Sequence, residues 1–401
     1  MNLIIKKNHN ISQKKISRNA MKVLYRLNKL GYEAYLVGGG VRDLLLGKKP
    51  KDFDIATNAR PSEIRKLFKN CRLIGRRFII AHLIFKSEII EVSTFRAHNR
   101  NIENKLLYNY SRKKKNRILL LNNTFGKIEE DAYRRDLTVN ALYYSIQDFG
   151  IRDYVGGIKD IKSKQIRLIG NAEKRYKEDP VRMLRVIRFS VRLRMNIDKK
   201  TEKPIIQLSH LLKKIPSARL FNESIKLFCF GHGYLTYIQL QKYYLISFLL
   251  PFLCKTLSKK NSIFLKNIII YGLKKIDSSM KIRCPSFLFS LFLWYPLTDN
   301  IKILSTKTTL NYFKIYSLSM HYILKKYSIS IGIPKNISLK IEKIWNLQIE
   351  IEKIKKNKTK KIIKNNIFYY SLELLYLRSK IENQIKLKRI ILSLNKKYIF
   401  S

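Results

Sequence analysis

The sequence predicts an α+β protein in which a mixed sheet with helices is followed by an all-helical region. Up to about residue 150, short runs typical of strands alternate with glycines and short helical segments. Beyond that point glycine is rare, and leucine, isoleucine and lysine recur at helical spacing. At 401 residues the chain is long enough for about two to four domains.

The chain is strongly basic. It carries 82 Lys and Arg residues against 28 Asp and Glu, a formal net charge of +54. Such a field attracts polyanions, and nucleic acid is the partner that it favours. Residues 231–401 hold 31 basic and 7 acidic residues and the first 230 hold 51 and 21, so the excess is spread along the chain. We attribute it partly to drift in composition and partly to function.

Cysteine usage and hydropathy bear on the compartment. The four cysteines lack the spacing of a zinc site or a disulfide framework, which fits a reduced, cytoplasmic compartment; they are Cys71, Cys229, Cys254 and Cys284. The amino terminus is basic and has no apolar core of signal-peptide length. The apolar runs 244–254 and 286–297 contain prolines and are too short to cross a bilayer. We therefore expect no membrane insertion.

The first predicted elements surround a glycine-rich turn. Residues 19–30 have helical periodicity, 34–37 read as an apolar strand, and 41–46 as a short helix. The glycines at 38–40 join this strand to this helix and let backbone N–H groups approach an anion closely. Alone, three glycines usually form a flexible turn, and the spacing matches neither a dinucleotide-binding fingerprint nor a P-loop.

Paired carboxylates follow in a second predicted strand. Asp52 and Asp54 would point to the same face, because successive strand residues alternate. Adjacent carboxylates repel unless a cation neutralises them, and such oxygen ligands suit Mg²⁺ with bound phosphates. Arg42 at the helix start has a fork that suits phosphate, the alternative being a surface salt bridge with Asp43. An isolated Asp-x-Asp is usually solvated, so it is the combination that indicates chemistry on a nucleotide.

Further elements complete the first region. Residues 60–63 (Arg-Pro-Ser-Glu) open a short helix with proline in its first turn. Strands are predicted at 78–85 and 89–95. The second of these carries Glu91, which we interpret as a supporting carboxylate with either a structural or a catalytic role. A polar, Lys/Arg-rich loop is predicted at 99–123.

Two later segments combine arginine with aspartate, and the first is Arg134-Arg135-Asp136. It is predicted to lie in a helix that begins near Asp131. Asp136 and Asn140 would then be one turn apart and share a face. From there Asp136 can orient a metal-bound water, an arginine or the ribose.

The second segment, Glu-Asp-Pro at 178–180, has the pattern of a helix start with Asp179 as N-cap. Arg182, Arg185 and Arg188 recur at three-residue spacing and place three guanidiniums on one helix face. That face is either solvated or turned towards a phosphate-bearing ligand, and capping alone would explain Asp179.

Four segments together resemble the class II nucleotidyltransferases, which include bacterial poly(A) polymerases and CCA-adding tRNA nucleotidyltransferases. They are Leu36–Gly47, Lys51–Ile55, Arg134–Leu142 and Glu178–Phe189. The resemblance covers roughly residues 20–235. It implies an N-terminal nucleotidyltransferase head, a mixed sheet with helices, followed by all-α neck and body domains. The expected parts are a basic extension at 1–20, a catalytic head at 21–148, a neck that recognises the base at 149–230 and a basic RNA-binding body at 231–401.

The resemblance also implies residue roles. Asp52 and Asp54 would bind two divalent metal ions, Mg²⁺ or Mn²⁺, and act in catalysis with Asp136. The implied nucleotide-binding residues are Gly38, Gly39, Arg42, Arg135, Asp179, Arg182, Arg185 and Arg188. Of these, Asp179 and Arg182 resemble the pair that reads the incoming base: the carboxylate accepts from the exocyclic amine of adenine or cytosine and the arginine donates to the adjacent ring nitrogen.

The expected product follows from a finer resemblance. Residues 73–83, with Gly-Arg-Arg-Phe at 75–78, resemble the poly(A) polymerase branch, as do 154–157 and 175–178. We therefore expect template-independent addition of adenylate from ATP to RNA 3′ ends, with release of pyrophosphate and promotion of RNA turnover. A CCA-adding enzyme is the alternative, and a non-catalytic RNA-binding protein the second alternative. RNA-decay proteins are candidate partners, while the oligomeric state and the role of the basic run Lys353–Lys364 stay open.

Overall fold

The computed structural model describes residues 2–75, 78–97, 125–251, 262–352 and 367–383, together with 385 and 387–391. Four features named above lie outside these residues. They are Arg76 with Arg77, the predicted loop at 99–123, Cys254 and the basic run Lys353–Lys364.

Ten strands are found in the described residues: β1 (Asn2–Ile4), β2 (Ala34–Val37), β3 (Asp54–Thr57), β4 (Cys71–Ile74), β5 (Ile80–Ile84), β6 (Ile89–Thr94), β7 (Leu142–Tyr144), β8 (Ile151–Asp153), β9 (Gln165–Ile166) and β10 (Asn196–Ile197). Helices of the same region are α1 (Arg18–Lys29), α2 (Gly39–Leu45), α3 (Pro61–Leu67), α4 (Ile128–Arg134), α5 (Gly157–Lys162), α6 (Ala172–Glu178), α7 (Val181–Leu193) and α8 (Lys199–Glu202).

The remaining α-helices are α9 (Pro204–Leu208), α10 (Ser217–Phe228), α11 (Gly233–Lys242), α12 (Ile246–Leu249), α13 (Ser262–Ser278), α14 (Pro285–Phe292), α15 (Trp294–Lys307), α16 (Tyr312–Ile331), α17 (Lys335–Glu352) and α18 (Phe368–Ile381). The change from strands to helices confirms the predicted α+β class. No helix in the described parts of the chain is long and apolar enough to cross a membrane.

Eight strands form one mixed sheet in the order β1-β8-β7-β2-β3-β6-β5-β4. Its neighbours are antiparallel except for β3 and β6, which run parallel. The larger core, on one face, includes Val23 of α1, Val41 of α2 and Ile55 of β3. The opposite face buries Ala56 of β3 with Ala132 of α4. The two faces alternate along each strand, as the side-chain period of two requires.

Several sequence predictions are confirmed to within a residue or two. The helix predicted at 19–30 is α1, the strand at 34–37 is β2, and the strand at 89–95 is β6. The helix opened by Pro61 is α3, in which the Glu63 carboxylate accepts a hydrogen bond from the Arg60 backbone N–H at 2.6 Å. The sequence analysis missed strand β4, whose Arg72 and Ile74 are exposed.

The chain divides into two compact units. The first comprises Met1–Arg175 and Arg194–Glu202, and the second comprises Tyr176–Leu193 and Lys203–Ser401. In the second unit, Arg378 of α18 is buried against the Trp294 ring at 4.3 Å and donates to Gln348 and Glu352 of α17. The division into functional parts at 20, 148 and 230 stays a prediction.

Candidate active site

The register of the sheet places two carboxylates side by side. Asp54 opens β3 and pairs with Glu91 of β6, and Glu91 pairs in turn with His82 of β5. Laterally paired residues share a face, so these side chains lie on the α4 side of the sheet. His82 Nε2 lies 3.5 Å from Glu91 Oε1. Glu91 therefore faces the same region as Asp54.

The Asp54 carboxyl is electrostatically strained. Burial and, next, the Glu91 carboxylate raise its pKa to about 6, against the lowering effect of Arg135, and Asp52 adds a smaller upward push. A carboxylate that is desolvated and close to like charges favours any cation that approaches it. Such perturbed groups are common at functional sites.

Asp52 lies outside the strand that was predicted to contain it. The strand β3 begins at Asp54, and Asp52 is an exposed residue of the preceding loop. The prediction that both carboxylates lie in one strand, and therefore share a face by alternation, is wrong because Asp52 precedes the strand. The two groups are still close enough for Asp52 to act on the pKa of Asp54.

Gly38 brings the backbone next to these groups. Its φ of +75° lies in the region that disfavours side chains, and a Cβ built on it would lie 3.6 Å from Asp54 Oδ2 and 3.8 Å from Arg135 Nη1. The turn thus opens a space between a carboxylate and a guanidinium. A ligand in this space would meet a carboxylate that can bind a cation and a guanidinium that can bind an anion.

Replacing Gly38 by alanine is expected to lower activity beyond its effect on stability. Both this variant and Gly47→Ala put a Cβ at positive φ, which costs roughly 1–3 kcal/mol, but a Cβ at Gly47 meets nothing within 4 Å. Melting temperatures of the two variants should fall alike, while kcat/KM for the nucleotide should fall only for Gly38→Ala. Equal activity losses would show that the space beside Asp54 has no role.

Arg42 is buried, not on the surface. Only 2% of it is exposed, and it donates to Asp43 Oδ1 from Nε at 2.9 Å and from Nη2 at 2.6 Å. Its Nη1 donates to Asn140 Oδ1 at 2.5 Å. A Cβ on Gly39 would come within 3.3 Å of Arg42 Nη2, so the glycine allows this packing. The salt bridge with Asp43 exists but is not a surface one, and the nucleotide contact of Gly39 and Arg42 stays a prediction.

A buried network around Asp131 was missed by the sequence analysis. Asp131 is 1% exposed. Its Oδ1 accepts from Arg134, and its Oδ2 accepts from Arg135 Nε and Nη2 at 3.1 and 2.9 Å and from the Tyr143 hydroxyl at 2.8 Å. Burial alone would raise the pKa of Asp131, but Arg135 and then Arg134 outweigh it and hold the pKa at about 2. Asp131 therefore fixes the arginine that lies beside Gly38.

A sequence signal for this network existed. Glu129, Glu130 and Asp131 form an acidic first turn, and Asp131 precedes Arg135 by four residues, the spacing of an ion pair on a helix. The position of Arg135 differs from the prediction, because α4 ends at Arg134 and Arg135 has an extended backbone with ψ of 169°. The side chain reaches back over the last turn to Asp131.

The predicted helix through Asp136 is wrong. Asp136 follows the end of α4, and its carbonyl accepts a hydrogen bond from the Ile169 backbone N–H at 3.0 Å. Asn140 belongs to a separate 3₁₀ turn at Thr138–Asn140 and accepts from Arg42. The reason is local: the chain turns extended at Arg135, so helical spacing no longer relates residues 136 and 140. A catalytic role of Asp136 stays a prediction.

The second unit carries the other predicted nucleotide residues on or before α7. Asp179 accepts from the Val181 backbone N–H at 3.2 Å, which confirms its place at the helix start. It also pairs with Arg219 at 2.7 Å, and Arg182 pairs with Glu178 at 2.7 Å. Neither Arg219 nor Glu178 was assigned a role from the sequence.

The arginine face of α7 is as predicted. Arg182, Arg185 and Arg188 are partly exposed, whereas the residues between them are buried. The Arg185 and Arg188 guanidiniums lie over the Phe189 ring, at 5.8 and 4.6 Å from its centroid. Their contact with a nucleotide stays a prediction.

Few side chains of the described residues are placed to bind a divalent metal ion. In the described ranges no group of three or more His, Cys, Asp or Glu side chains is arranged to hold a metal ion. Asp52 and Asp54 supply hard oxygen atoms, and Mg²⁺ typically takes one or two carboxylates and completes its shell with phosphate oxygens and water. The raised pKa of Asp54 fits a group whose charge is neutralised by a cation. The donor set therefore suits a metal that arrives with a phosphate ligand.

Comparisons with known proteins cover most of the chain. Residues 34–167 match the family described as "Poly A polymerase head domain", 194–257 match "Probable RNA and SrmB- binding site of polymerase A", and 308–390 match "Polymerase A arginine-rich C-terminus". These matches span both compact units.

Curated relatives at high identity are poly(A) polymerases. "Poly(A) polymerase I" of Salmonella typhi is 47% identical over 393 residues, which cover 97% of this chain and 84% of the relative. The protein of the same name from Haemophilus influenzae is 44% identical and covers 95% and 84%. A CCA-adding enzyme of Lactobacillus helveticus is 38% identical over 208 residues, which cover 52% of this chain and 49% of the relative.

Solved structures share the fold. The Bacillus stearothermophilus CCA-adding enzyme in complex with CTP superposes with a TM-score of 0.63 at 22% identity, over 94% of this chain and 82% of that chain. The Thermotoga maritima CCA-adding enzyme complexed with tRNA gives a TM-score of 0.55 at 20% identity, over 96% and 97%. Near-full-length identity of 47% to a poly(A) polymerase, with the head and later segments matched in order, means that this chain belongs to the poly(A) polymerase family of nucleotidyltransferases.

Proposed function

We propose that the protein transfers adenylate from ATP to the 3′-hydroxyl of RNA without a template and releases pyrophosphate. The observation that carries this function is the 47% identity over 97% of the chain to a protein named Poly(A) polymerase I. The CCA-adding relative matches only 52% of the chain. A non-catalytic RNA-binding role is disfavoured because both Asp52 and Asp54 are retained.

The reaction forms a bond between the 3′-oxygen of RNA and the α-phosphorus of ATP. The bond from that phosphorus to the bridging oxygen breaks, pyrophosphate leaves, and the hydroxyl proton passes to water. Asp52 and Asp54 would hold Mg²⁺ or Mn²⁺, which when bound neutralises phosphate charge and lowers the pKa of the attacking hydroxyl. Arg135 would bind phosphate oxygens beside Gly38, where two aligned N–H donors stabilise the charge that develops. The chain thus acts chiefly by positioning and electrostatics.

Base selection is proposed for Asp179 and Arg182. A carboxylate accepts from the exocyclic amine of adenine or cytosine, and a guanidinium donates to the adjacent ring nitrogen; uracil and guanine present the opposite polarity. Nucleotide binding at these residues has to compete with, or share, the ion pairs Asp179–Arg219 and Arg182–Glu178. We therefore expect Asp179 to leave Arg219, and Arg182 to leave Glu178, when a base binds to them.

The variant Asp179→Ala is expected to reduce the preference for ATP over GTP. A well-formed pair of base hydrogen bonds is worth about 1–3 kcal/mol of discrimination, so the ratio of kcat/KM values should fall by about tenfold or more. Arg219→Ala is the matched control, because it breaks the same ion pair and leaves the carboxylate in place. A loss of discrimination in the control that equals the loss in Asp179→Ala would assign the effect to the ion pair and not to base reading.

The test of the function uses purified protein, Mg²⁺, single nucleotides and two RNAs. Long adenylate tails on a generic RNA 3′ end support polyadenylation. Addition that stops after C-C-A on a truncated tRNA overturns it in favour of the alternative. Tight RNA binding with no incorporation of any nucleotide would favour the binding module.

The cellular setting of this activity is part of the same proposal. Polyadenylation in a cytoplasmic compartment would promote RNA turnover, with RNA-decay proteins as partners. The match of residues 194–257 to the family described as "Probable RNA and SrmB- binding site of polymerase A" supports RNA as the polymeric substrate.

A further inference from the structure

Arg96 lies outside the four segments that carry the family resemblance, and the proposed mechanism gives it no role. It follows β6 and is partly buried in the first unit. Its guanidinium lies 4.3 Å from the centroid of the Phe78 ring. Such stacking fixes the plane of a guanidinium, but the ring carries no full negative charge that would balance the cation. The group is therefore held rigidly without having its charge neutralised by the ring.

Asp131, the carboxylate that acts on Arg96, is already saturated with donors. Asp131 Oδ1 accepts from Arg134 Nε and Nη2 at 2.8 and 2.6 Å and, at 3.3 Å, from the backbone N–H of Arg96. Its Oδ2 accepts from Arg135 and Tyr143. Two guanidiniums, those of Arg134 and Arg135, thus share one buried negative charge, and Arg96 reaches it only through its backbone N–H.

No carboxylate lies within ion-pair distance of the Arg96 guanidinium in the portions of the chain that the structure describes. Burial and, next, the Arg134 guanidinium lower the pKa of Arg96 to about 10, Asp131 opposes this, and Arg135 adds to the lowering. The side chain still carries its charge at neutral pH. A half-buried cation beside two others of the same sign is stabilised by an anion that enters between them.

We propose that Arg96 and Arg134 form a phosphate-binding subsite next to Arg135. This inference rests on the proposed function, since both substrates of that reaction are phosphate-rich. A guanidinium fork stacked on a ring suits phosphate oxygens, which accept two parallel N–H bonds. The subsite is continuous with the candidate active site through Asp131, which contacts both Arg134 and Arg135.

The surroundings fit a strand of RNA as well as a triphosphate. Phe78 is 36% exposed, and Phe125, which forms a β-bridge with Arg96, is 45% exposed. The Arg60 guanidinium lies 5.7 Å from the Phe125 ring centroid. Exposed rings next to arginines are the usual surface for unpaired bases and their backbone. The phosphate can come from RNA or from ATP, and the experiment separates these sources.

The test compares Arg96→Gln and Arg96→Lys with the full-length wild type. Equilibrium dissociation constants for a single-stranded RNA, over a range of salt concentrations, and for ATP with Mg²⁺ are measured separately. If the phosphate belongs to RNA, Arg96→Gln should weaken RNA binding roughly five- to tenfold, lower the slope of log K against log salt by about 0.7 and leave ATP binding unchanged. If it belongs to ATP, the ATP constant should rise by a similar factor and the RNA slope should stay the same. In either case Arg96→Lys should recover part of the loss.

Arg26→Gln is the matched control. Arg26 also lies over a phenylalanine ring, that of Phe68 at 5.3 Å, but it is exposed on α1. It reports the cost of removing one positive charge and one ring contact. Changes in both constants for Arg96→Gln that stay within those of Arg26→Gln overturn the subsite. Because binding is measured without turnover, this result is separate from a failure of the wild type to add adenylate, which would overturn the proposed function alone.

Discussion

Replacing Asp54 by asparagine is expected to abolish nucleotide addition and, at the same time, to raise the melting temperature of the metal-free protein. Activity is lost because the amide cannot hold a divalent cation at the phosphates, an effect worth several kcal/mol, or roughly a thousandfold in rate. Stability rises because the Asp54 carboxylate is desolvated and repelled by Glu91 and then Asp52. RNA binding should be nearly unchanged.

The pH dependence of the stability gain has a defined sign. The pKa of Asp54 is raised from 3.8 to about 6 in the folded protein. Above pH 6 the carboxylate is ionised in both states, but it is less stable in the folded protein than in the unfolded chain. This lowers the free energy of unfolding by up to about 3 kcal/mol. Below about pH 4 the carboxyl is protonated in both states and the cost vanishes. Asparagine should thus stabilise the protein above pH 6 and have no effect near pH 4.

Asp52→Asn is the control for this prediction. Asp52 is exposed and has no strand neighbour of like charge, so its replacement should lower activity without a comparable gain in stability. Thermal melts between pH 4 and 8 with a chelator, together with incorporation assays with Mg²⁺, measure both effects. Retained activity in Asp54→Asn would remove Asp54 from the metal site, and an unchanged melting temperature would contradict the electrostatic strain.

The second large effect is expected at Asp131. Replacing it by alanine leaves two partly buried guanidiniums and the buried Tyr143 hydroxyl without their shared acceptor, and breaking a buried ion pair typically costs about 3–5 kcal/mol. Arg135 also loses the contact that holds it beside Gly38, so the KM for ATP should rise in the fraction that folds. Urea melts and initial rates measure the two consequences.

Here the sign of the pH dependence is the reverse. The pKa of Asp131 is held at about 2, below the ordinary value of 3.8, because Arg135 and Arg134 outweigh the effect of burial. The ionised form therefore contributes roughly 2 kcal/mol of stability above pH 4, and this contribution is lost as the pH falls from 4 towards 2.

Asp148→Ala is the matched control: it also breaks an Asp–Arg pair with four-residue spacing, but Asp148 is 43% exposed in its side chain. A surface pair of this kind is worth about 0–1 kcal/mol. Equal costs for the two variants would show that the Asp131 network is not a structural anchor.

The sequence predicted best where one local rule decides the structure. The apolar run before the glycines became β2, Pro61 marked the first turn of α3, and the three-residue spacing of arginines gave α7 its partly exposed face. Each of these outcomes depends on spacing or backbone preference within a few residues. The family and the adenylate-transfer function were also predicted correctly from the motifs.

Predictions failed where residues distant in sequence decide the outcome. For Arg42 the surface salt bridge that we kept as the alternative to a nucleotide contact is excluded, because the side chain is buried against Asn140, a partner 98 residues away that spacing cannot reveal. Asp131 was read only as a helix start, although its depth and its contact with Tyr143 make it the anchor of Arg135. The helix predicted through Asp136 is wrong because the backbone turns extended at Arg135, and the Asp136 carbonyl pairs instead with the backbone N–H of the distant Ile169.

The short parallel pair of β9 and β10 has a consequence for the order of events during synthesis. Residues 165–166 pair with 196–197, yet the intervening α7 belongs to the second unit. The first unit therefore cannot complete its own pairing when residue 175 leaves the ribosome, since its last strand is made only after α7. Because domains generally fold as they emerge, α7 is translated while the first unit is still unfinished. A nascent chain arrested at residue 175 should resist proteolysis less well than one arrested beyond residue 202.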